Sequence, residues 1–208
     1  PSKLCDMPET LVKTFGLKGK TRMDRDNRQA TSTEMEIAWL AGIIEGEGTL
    51  MMGLWQREEN RKPKVGLQVK VYNSDAGIIR KCAEILESIA IGFHLKEREM
   101  PPVARPDGEG SYRANAPMPT LTVSRLDSVD RVLKAIRPYL FGEKAARADL
   151  MMSFLERRFA KFESESMGKR APYDADDLRI VLRFTQGTRR GDVKTVERVL
   201  NELEQSAA

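Results

Sequence analysis

Histidine and cysteine are nearly missing from this chain. One histidine, His94, and two cysteines, Cys5 and Cys82, occur among 208 residues. Two cysteines make neither a disulfide framework nor a cysteine-rich zinc site. A lone histidine excludes a multi-histidine metal centre, and it leaves His94 as the only imidazole available to a Ser-His-Asp or Cys-His triad. Long apolar runs are lacking too. The longest clear one, Ala38 to Ile44, has seven residues, against the roughly 20 that span a bilayer. The first 30 residues hold no apolar signal-peptide core, so an intracellular protein without a membrane partner is expected, its compartment unspecified. Chemistry on this chain must run on carboxylates, lysines, amides or hydroxyls.

Charge is plentiful. Lys and Arg number 35 against 31 Asp and Glu, a net +4, and the pI is near 9.1. Such a balance permits contact with nucleic acid or a membrane surface and by itself establishes neither. The length suits one compact domain, or one with a small appendage. Residues 1–30 carry Lys18, Lys20, Arg22, Arg25 and Arg28 with little to bury, which predicts a flexible basic arm. A core over 31–160 and a helical extension packed on it over 161–208 are expected to follow.

The first firm element starts at Thr33. Thr33-x-x-Glu36 has the pattern of a capping box, and Ile37, Leu40 and Ile44 repeat at helical spacing up to Gly46–Gly48. The period then changes from 3.6 to 2. Leu50, Met52 and Leu54 fall on one face of a strand, and Thr49, Met51, Gly53 and Trp55 on the other. Beyond a charged turn at Glu58 to Pro63, Val65, Leu67, Val69 and Val71 alternate with polar residues, which predicts an antiparallel sheet buried on one face. Ser74-Asp75 opens a helix with Ile78, Ile79, Cys82, Ile85, Leu86 and Ile89 as its stripe. A third strand has Phe93 and Leu95 inward, residues 100–119 form a loop or hairpin tip, and a fourth strand covers Thr120 to Arg125. Helices are expected over Asp127–Leu140, Lys144–Phe159, Asp174–Phe184 and Asp192–Leu203, with Asp174, Asp176 and Asp177 as a capping cluster. The order αββαββα plus further helices gives an α+β fold with helices on one face of the sheet.

The other face of that sheet is polar and lacks acids. Gln56, Lys64, Gln68, Lys70, Tyr72, His94, Lys96, Arg98 and Thr122 share the outward parity, with Thr49 and Met51 beside them. Such a face either lies on nucleic acid, with Lys and Arg attracting phosphates and Gln, Lys and Arg reading base edges in a major groove, or is polar because any solvated strand face is. Arg113 in the loop, and Arg189 and Arg190 in the turn before the last helix, add further basic groups. Trp55 either meets DNA or closes over the hairpin; Met35 and Trp39 read as packing residues.

The helix from Thr33 adds chemistry. Ala38, Gly42 and Gly46 lie four residues apart and form a ridge almost without side chains, which lets two helix backbones approach closely. Glycine costs about 1 kcal/mol inside a helix, so the ridge should serve something, at minimum tight packing within one protomer. Glu45 and Glu47 stand at the C-terminal, partly negative end, where carboxylates are poorly placed unless a cation joins them. If two copies of the helix met along the ridge, two carboxylates would converge on a cradle for divalent metal acting on a phosphodiester.

Those residues read LAGIIEGEG, Leu40 to Gly48. The stretch resembles the signature of the LAGLIDADG homing endonucleases, matching at Leu40, Ala41, Gly42 and Gly48 with conservative changes between, at the end of a helix that opens an αββαββα unit. The resemblance covers roughly residues 33–160. It implies a saddle-shaped, four-stranded antiparallel sheet that grips double-stranded DNA, with Arg113, Arg189 and Arg190 as further DNA contacts, and an intron-encoded, mobile-element origin. With only one such motif in the chain, it implies a homodimer meeting through Ala38, Leu40, Ala41, Gly42 and Gly46, acting on a nearly palindromic site. Carried over position by position, Glu47 takes the place of the metal-binding acid. Asn73 takes that of a polar residue organising solvent at the metals, and Lys144 that of a basic residue beside the scissile phosphate. The implied cofactor is Mg²⁺, with Ca²⁺ or Mn²⁺ able to substitute. The implied reaction is hydrolysis giving a staggered break. An intron maturase, or a nucleic-acid-binding protein that does not cut, is the alternative on the same scaffold.

Overall fold

The computed structural model describes residues 32–55, 63–98, 103–104, 111–112, 118–164, 171–187 and 193–207. The first element is a helix, α1 (Ser32–Glu47), and it runs directly into strand β1 (Gly48–Trp55). Gly48 makes that junction possible. A Cβ there would sit 2.7 Å from both Cα and the carbonyl oxygen of Ile44, so only glycine lets the strand leave so close to the last helical turn. Strand β2 (Lys64–Tyr72) pairs antiparallel with β1 from Gly48↔Val71 to Trp55↔Lys64. Helix α2 (Ala76–Ser88) follows, then β3 (His94–Arg98), a small hairpin of β4 (Val103–Ala104) and β5 (Ser111–Tyr112), and β6 (Met118–Val123). The main sheet has the order β1-β2-β6-β3, antiparallel throughout. Helix α3 (Leu126–Ile136), a 3₁₀ turn (Arg137–Tyr139), α4 (Gly142–Ser164), α5 (Ala175–Gln186) and α6 (Val193–Ala207) complete the fold.

The period-2 pattern is realised as expected. Leu50, Met52 and Leu54 on β1, Val65, Leu67, Val69 and Val71 on β2, and Leu121 and Val123 on β6 are buried beneath the helices. Among these helices, α4 and α5 pack on β1, α3 on β2 and α2 on β6. Leu178, Val181 and Phe184 bring the apolar stripe of α5 into the same core. Among the described residues, no helix is long and apolar enough to cross a membrane.

Four expectations need correction. Helix α1 starts at Ser32, so Thr33 lies inside the first turn rather than capping it, and the Glu36 carboxylate instead accepts from Lys81 Nζ at 2.8 Å on α2. Leu95 is 55% exposed: it shares the inward face with its partner Leu121, but β3 is the sheet edge and overhangs the helices. Helix α3 ends at Ile136 rather than Leu140, because Pro138 supplies no N–H and tightens the chain into the 3₁₀ turn. Helix α4 is longer than expected and runs on through position 160.

The acidic cluster before α5 behaves as a cap. Asp174 Oδ1 accepts from the Asp177 N–H at 2.8 Å and Asp177 Oδ2 accepts from the Asp174 N–H at 3.3 Å, a reciprocal capping box. Tyr173, just ahead, accepts through its hydroxyl from the Val65 N–H at 3.1 Å, tying this segment to the start of β2.

Candidate active site and nucleic-acid interface

Strand pairing brings the key residues together. Because Gly48 pairs with Val71, Glu47 at the end of α1 and Asn73 at the end of β2 leave the sheet side by side. Asn73 Nδ2 donates to Glu47 Oε2 at 2.8 Å, while Asn73 Oδ1 accepts from the Asp75 N–H at 2.8 Å. The second bond fixes which way the amide points, since an N–H must face a carbonyl oxygen, and so commits the NH₂ to the carboxylate. Asp75 is itself held, its Oδ1 accepting from Gly77 N–H at 2.7 Å to cap α2. Asn73 is buried, whereas Glu47 is exposed. Among the described residues the carboxylate is thus oriented by one neutral donor on an exposed side chain, a hard oxygen donor suited to a divalent cation.

Lys144 reaches the same corner by a different route. Its Nζ donates to the Ile44 carbonyl at 2.6 Å and to the Glu45 carbonyl, both among the orphan acceptors that end α1. The ammonium is thus a cap on the negative helix end. Both bonds tie Lys144 to the end of α1 that carries Glu47, the corner where the resemblance expects a basic residue. Burial pushes its pKa below the usual lysine value, and the charges of Glu45, Arg147 and Glu143 act on it as well. Glu45 lies alongside with one carboxylate oxygen buried and without a partner among the described residues. The Cys82 thiol plays no part, since it is buried in the core and burial pushes its pKa up to about 11.

The two faces of α1 diverge. Leu40, Ala41 and Ile44 are buried in the protomer's own core, so Leu40 and Ala41 cannot line an interface as expected. Gly42 and Gly46 point the other way, and a Cβ built on either would meet nothing within 4 Å. Met35 (58% exposed) and Trp39 (39% exposed) continue the same outer face, with Ala38 half-buried beside them. They are not packing residues within the protomer. The signal was present in the sequence, because a helix apolar all round buries both sides against something.

The sheet surface opposite the helices forms registered rows. Thr49, Lys70, Thr122 and His94 lie side by side across all four strands, and Tyr72, Thr120 and Lys96 form the next row. Met51 pairs with Gln68, and Trp55 with Lys64. No acid occupies this face among the described strand positions. Thr120, not singled out from the sequence, is buried between Tyr72 and Lys96. Arg98 lies in β3 on the same parity. Gln56, Arg113, Arg189 and Arg190 lie outside the described residues, as does the expected basic arm.

No protein-family model matches the chain, and no curated protein does. Solved structures match. The homing endonuclease I-CvuI, in complex with its target in the presence of 2 mM Ca, superimposes with a TM-score of 0.55 at 20% identity, covering 83% of this chain and 96% of that one. The group I intron-encoded homing endonuclease I-CeuI, complexed with DNA, gives 0.51 at 19%, covering 79% and 73%. The LAGLIDADG homing endonuclease I-GzeII, in complex with a DNA target, gives 0.53 at 13%, covering 80% of this chain and 49% of that one. The α+β architecture with its four-stranded antiparallel sheet matches these structures: the chain has the LAGLIDADG homing endonuclease fold.

Proposed function

We propose that this chain acts as a homodimeric, divalent-metal-dependent endonuclease that cuts both strands of a long, nearly palindromic DNA site. The observation that carries the reading is Glu47. Its carboxylate is aimed by a buried, backbone-locked Asn73 yet left open to solvent, at the end of a helix whose outer face is bare. Two copies meeting on Met35, Ala38, Trp39, Gly42 and Gly46 would bury that face and bring two such acids together. The length ratio supports the pairing, since one chain matches about half of I-GzeII.

Among the described residues, no three His, Cys, Asp or Glu side chains gather into a metal site. One protomer therefore offers fewer than three such ligands there, and Glu47 is the exposed carboxylate of the helix end. That suits magnesium, which keeps waters and binds through one or two carboxylates plus substrate phosphates. When bound, such an ion would activate water and stabilise the leaving oxygen, the chemistry of a staggered break. Glu47 holds the ion, Asn73 holds Glu47, and Lys144 offsets the negative helix end where both acids stand. The rows Thr49–Lys70–Thr122–His94 and Tyr72–Thr120–Lys96, together with Met51, Gln68 and Lys64, grip the duplex. Arg98 and the residues outside the described segments (Gln56, Arg113, Arg189 and Arg190) extend that grip.

A duplex library with a randomised centre, taken through binding selection, tests the reading. Selected DNA should be cut in Mg²⁺ and bound but uncut in EDTA. Binding without metal-dependent cutting would instead establish the maturase or regulator alternative. Gly42→Leu should keep the protomer folded, and even favour its helix by up to about 1 kcal/mol, while sedimentation shows the dimer lost. A dimer unaffected by this change would remove the ridge from the interface.

A further inference from the structure

One rung of the outward sheet face carries no side chains of its own. Gly53 pairs with Gly66 two rungs from the Trp55–Lys64 end of the β1–β2 ladder, and both are partly exposed. Glycine weakens a strand interior and marks a place where something approaches the backbone closely. The occupant is Trp55. A Cβ built on Gly66 would lie 2.0 Å from Cζ3 of the Trp55 ring, and one built on Gly53 3.9 Å from Cζ2. The indole is therefore laid across the bare rung rather than standing away from the sheet, and it remains 47% exposed. The chain gives up two side chains and part of its strand propensity to seat a flat apolar ring on the surface that otherwise presents Thr49, Lys70, Gln68, Tyr72 and Lys96.

We infer that Trp55, seated on Gly66, is a specificity residue that reads the 5-methyl group of thymine. The inference rests on the proposed DNA-binding function and names what this part of the surface recognises. The exposed ring is an apolar plane, and in the major groove thymine is the base that offers an apolar group, its C5-methyl. The neighbouring positions on β2, Gln68 and Lys70, carry the hydrogen-bonding groups suited to guanine or adenine edges. Position along the duplex follows from strand geometry. The ring lies over the Gly53–Gly66 rung, four residues beyond Thr49, about 13 Å of extended strand, or about four base pairs outward at 3.4 Å per step. Each half-site should then show a preference for thymine about four base pairs outside the positions read by Thr49 and Lys70.

The test uses the full-length protein and a randomised duplex library. Wild type, Trp55→Ala, Trp55→Phe and Gly66→Ala are each taken through binding selection, with folding checked by circular dichroism. Wild type should enrich thymine at one outer position per half-site, and replacing that thymine by deoxyuridine should weaken binding about fourfold per methyl removed. Trp55→Ala should lose this preference alone. Trp55→Phe should retain it, and Gly66→Ala should lose it with the tryptophan still present, because the new Cβ displaces the ring. A motif unchanged in Trp55→Ala, or wild-type binding indifferent to deoxyuridine at every outer thymine, overturns the assignment and leaves the endonuclease reading standing. Failure of wild type to enrich any sequence overturns both.

Discussion

Two carboxylate clusters in this fold are treated in opposite ways. Asp177, at the start of α5, is wholly buried and surrounded by cations. It accepts from Lys161 at 2.6 Å, from Arg157 at 3.2 Å and from Arg158 at 3.3 Å, and Arg158 is itself 97% buried, its exposure being 3%. Lys161 also pairs with Asp174 at 2.7 Å, and Arg158 reaches the carbonyls of Ala171 and Pro172. Its carboxylate oxygens are turned to protein donors. Among the described residues, Glu47 has one neutral donor, Asn73, and its side chain is exposed. The difference separates two uses of the same group. A carboxylate saturated by the protein's own cations holds elements together and has nothing to give a ligand. One that is merely aimed can accept a cation from outside.

That contrast is open to direct attack. Glu47→Gln should lower cutting of a selected site more than about a thousandfold, roughly 4 kcal/mol of barrier, with DNA binding and unfolding midpoint nearly unchanged. A variant that still cuts would remove Glu47 from the chemistry. Asp177→Ala should do the reverse. It strands Arg158 without its charge partner and should cost about 3–5 kcal/mol of stability, read by urea unfolding, while protein kept well below its melting temperature still cuts. Smaller effects sharpen the comparison. Asn73→Ala should reduce cutting about 10–100-fold by freeing the acid it holds, and a steeper dependence on Mg²⁺ concentration would separate lost aiming from lost stability.

The smallest effect is in pH. Burial pushes the Asp174 carboxyl up, but hydrogen bonds from Lys161 and the Asp177 N–H, with the charges of Lys161 and Arg157, outweigh burial and hold it at about 2. Its pKa in the folded protein thus lies below the ordinary value of 3.8. The stabilisation is complete above that ordinary value and disappears as pH falls through about 2. Unfolding midpoints measured down this range should fall more steeply in wild type than in Lys161→Met.

Much of this was legible in the residues because local pattern and tertiary demand coincide. The strict alternation in β1 and β2 fixes which side chains are buried, and Asp174 caps α5 as its position suggests. Glu47 and Asn73 meet because register alone carries them to the same end of the sheet. What was not legible depends on partners distant in sequence. Glu36 has a capping pattern but goes to Lys81, 45 positions on. The hydrogen bond from Lys144 to the end of α1 joins residues about a hundred positions apart, which no local pattern reveals. Leu95 alternates correctly and is still uncovered, because no periodicity says where the helical layer stops. Trp55 was ambiguous for want of one fact, that Gly66 lies beneath it.

Helix α1 is pinned to its neighbourhood at both ends, through Glu36 and Lys81 near its beginning and through Glu47 and Asn73 at its finish. Since Asp75 roots Asn73 to α2, which also bears Lys81, the two helices and their cross-ties close a quadrilateral. A braced frame of that kind resists lean: tilting one side must stretch a tie. In the proposed dimer, the separation of the two acids would then be set by how the frames abut, leaving the gap between the proposed cuts a property of architecture rather than of any adjustable loop.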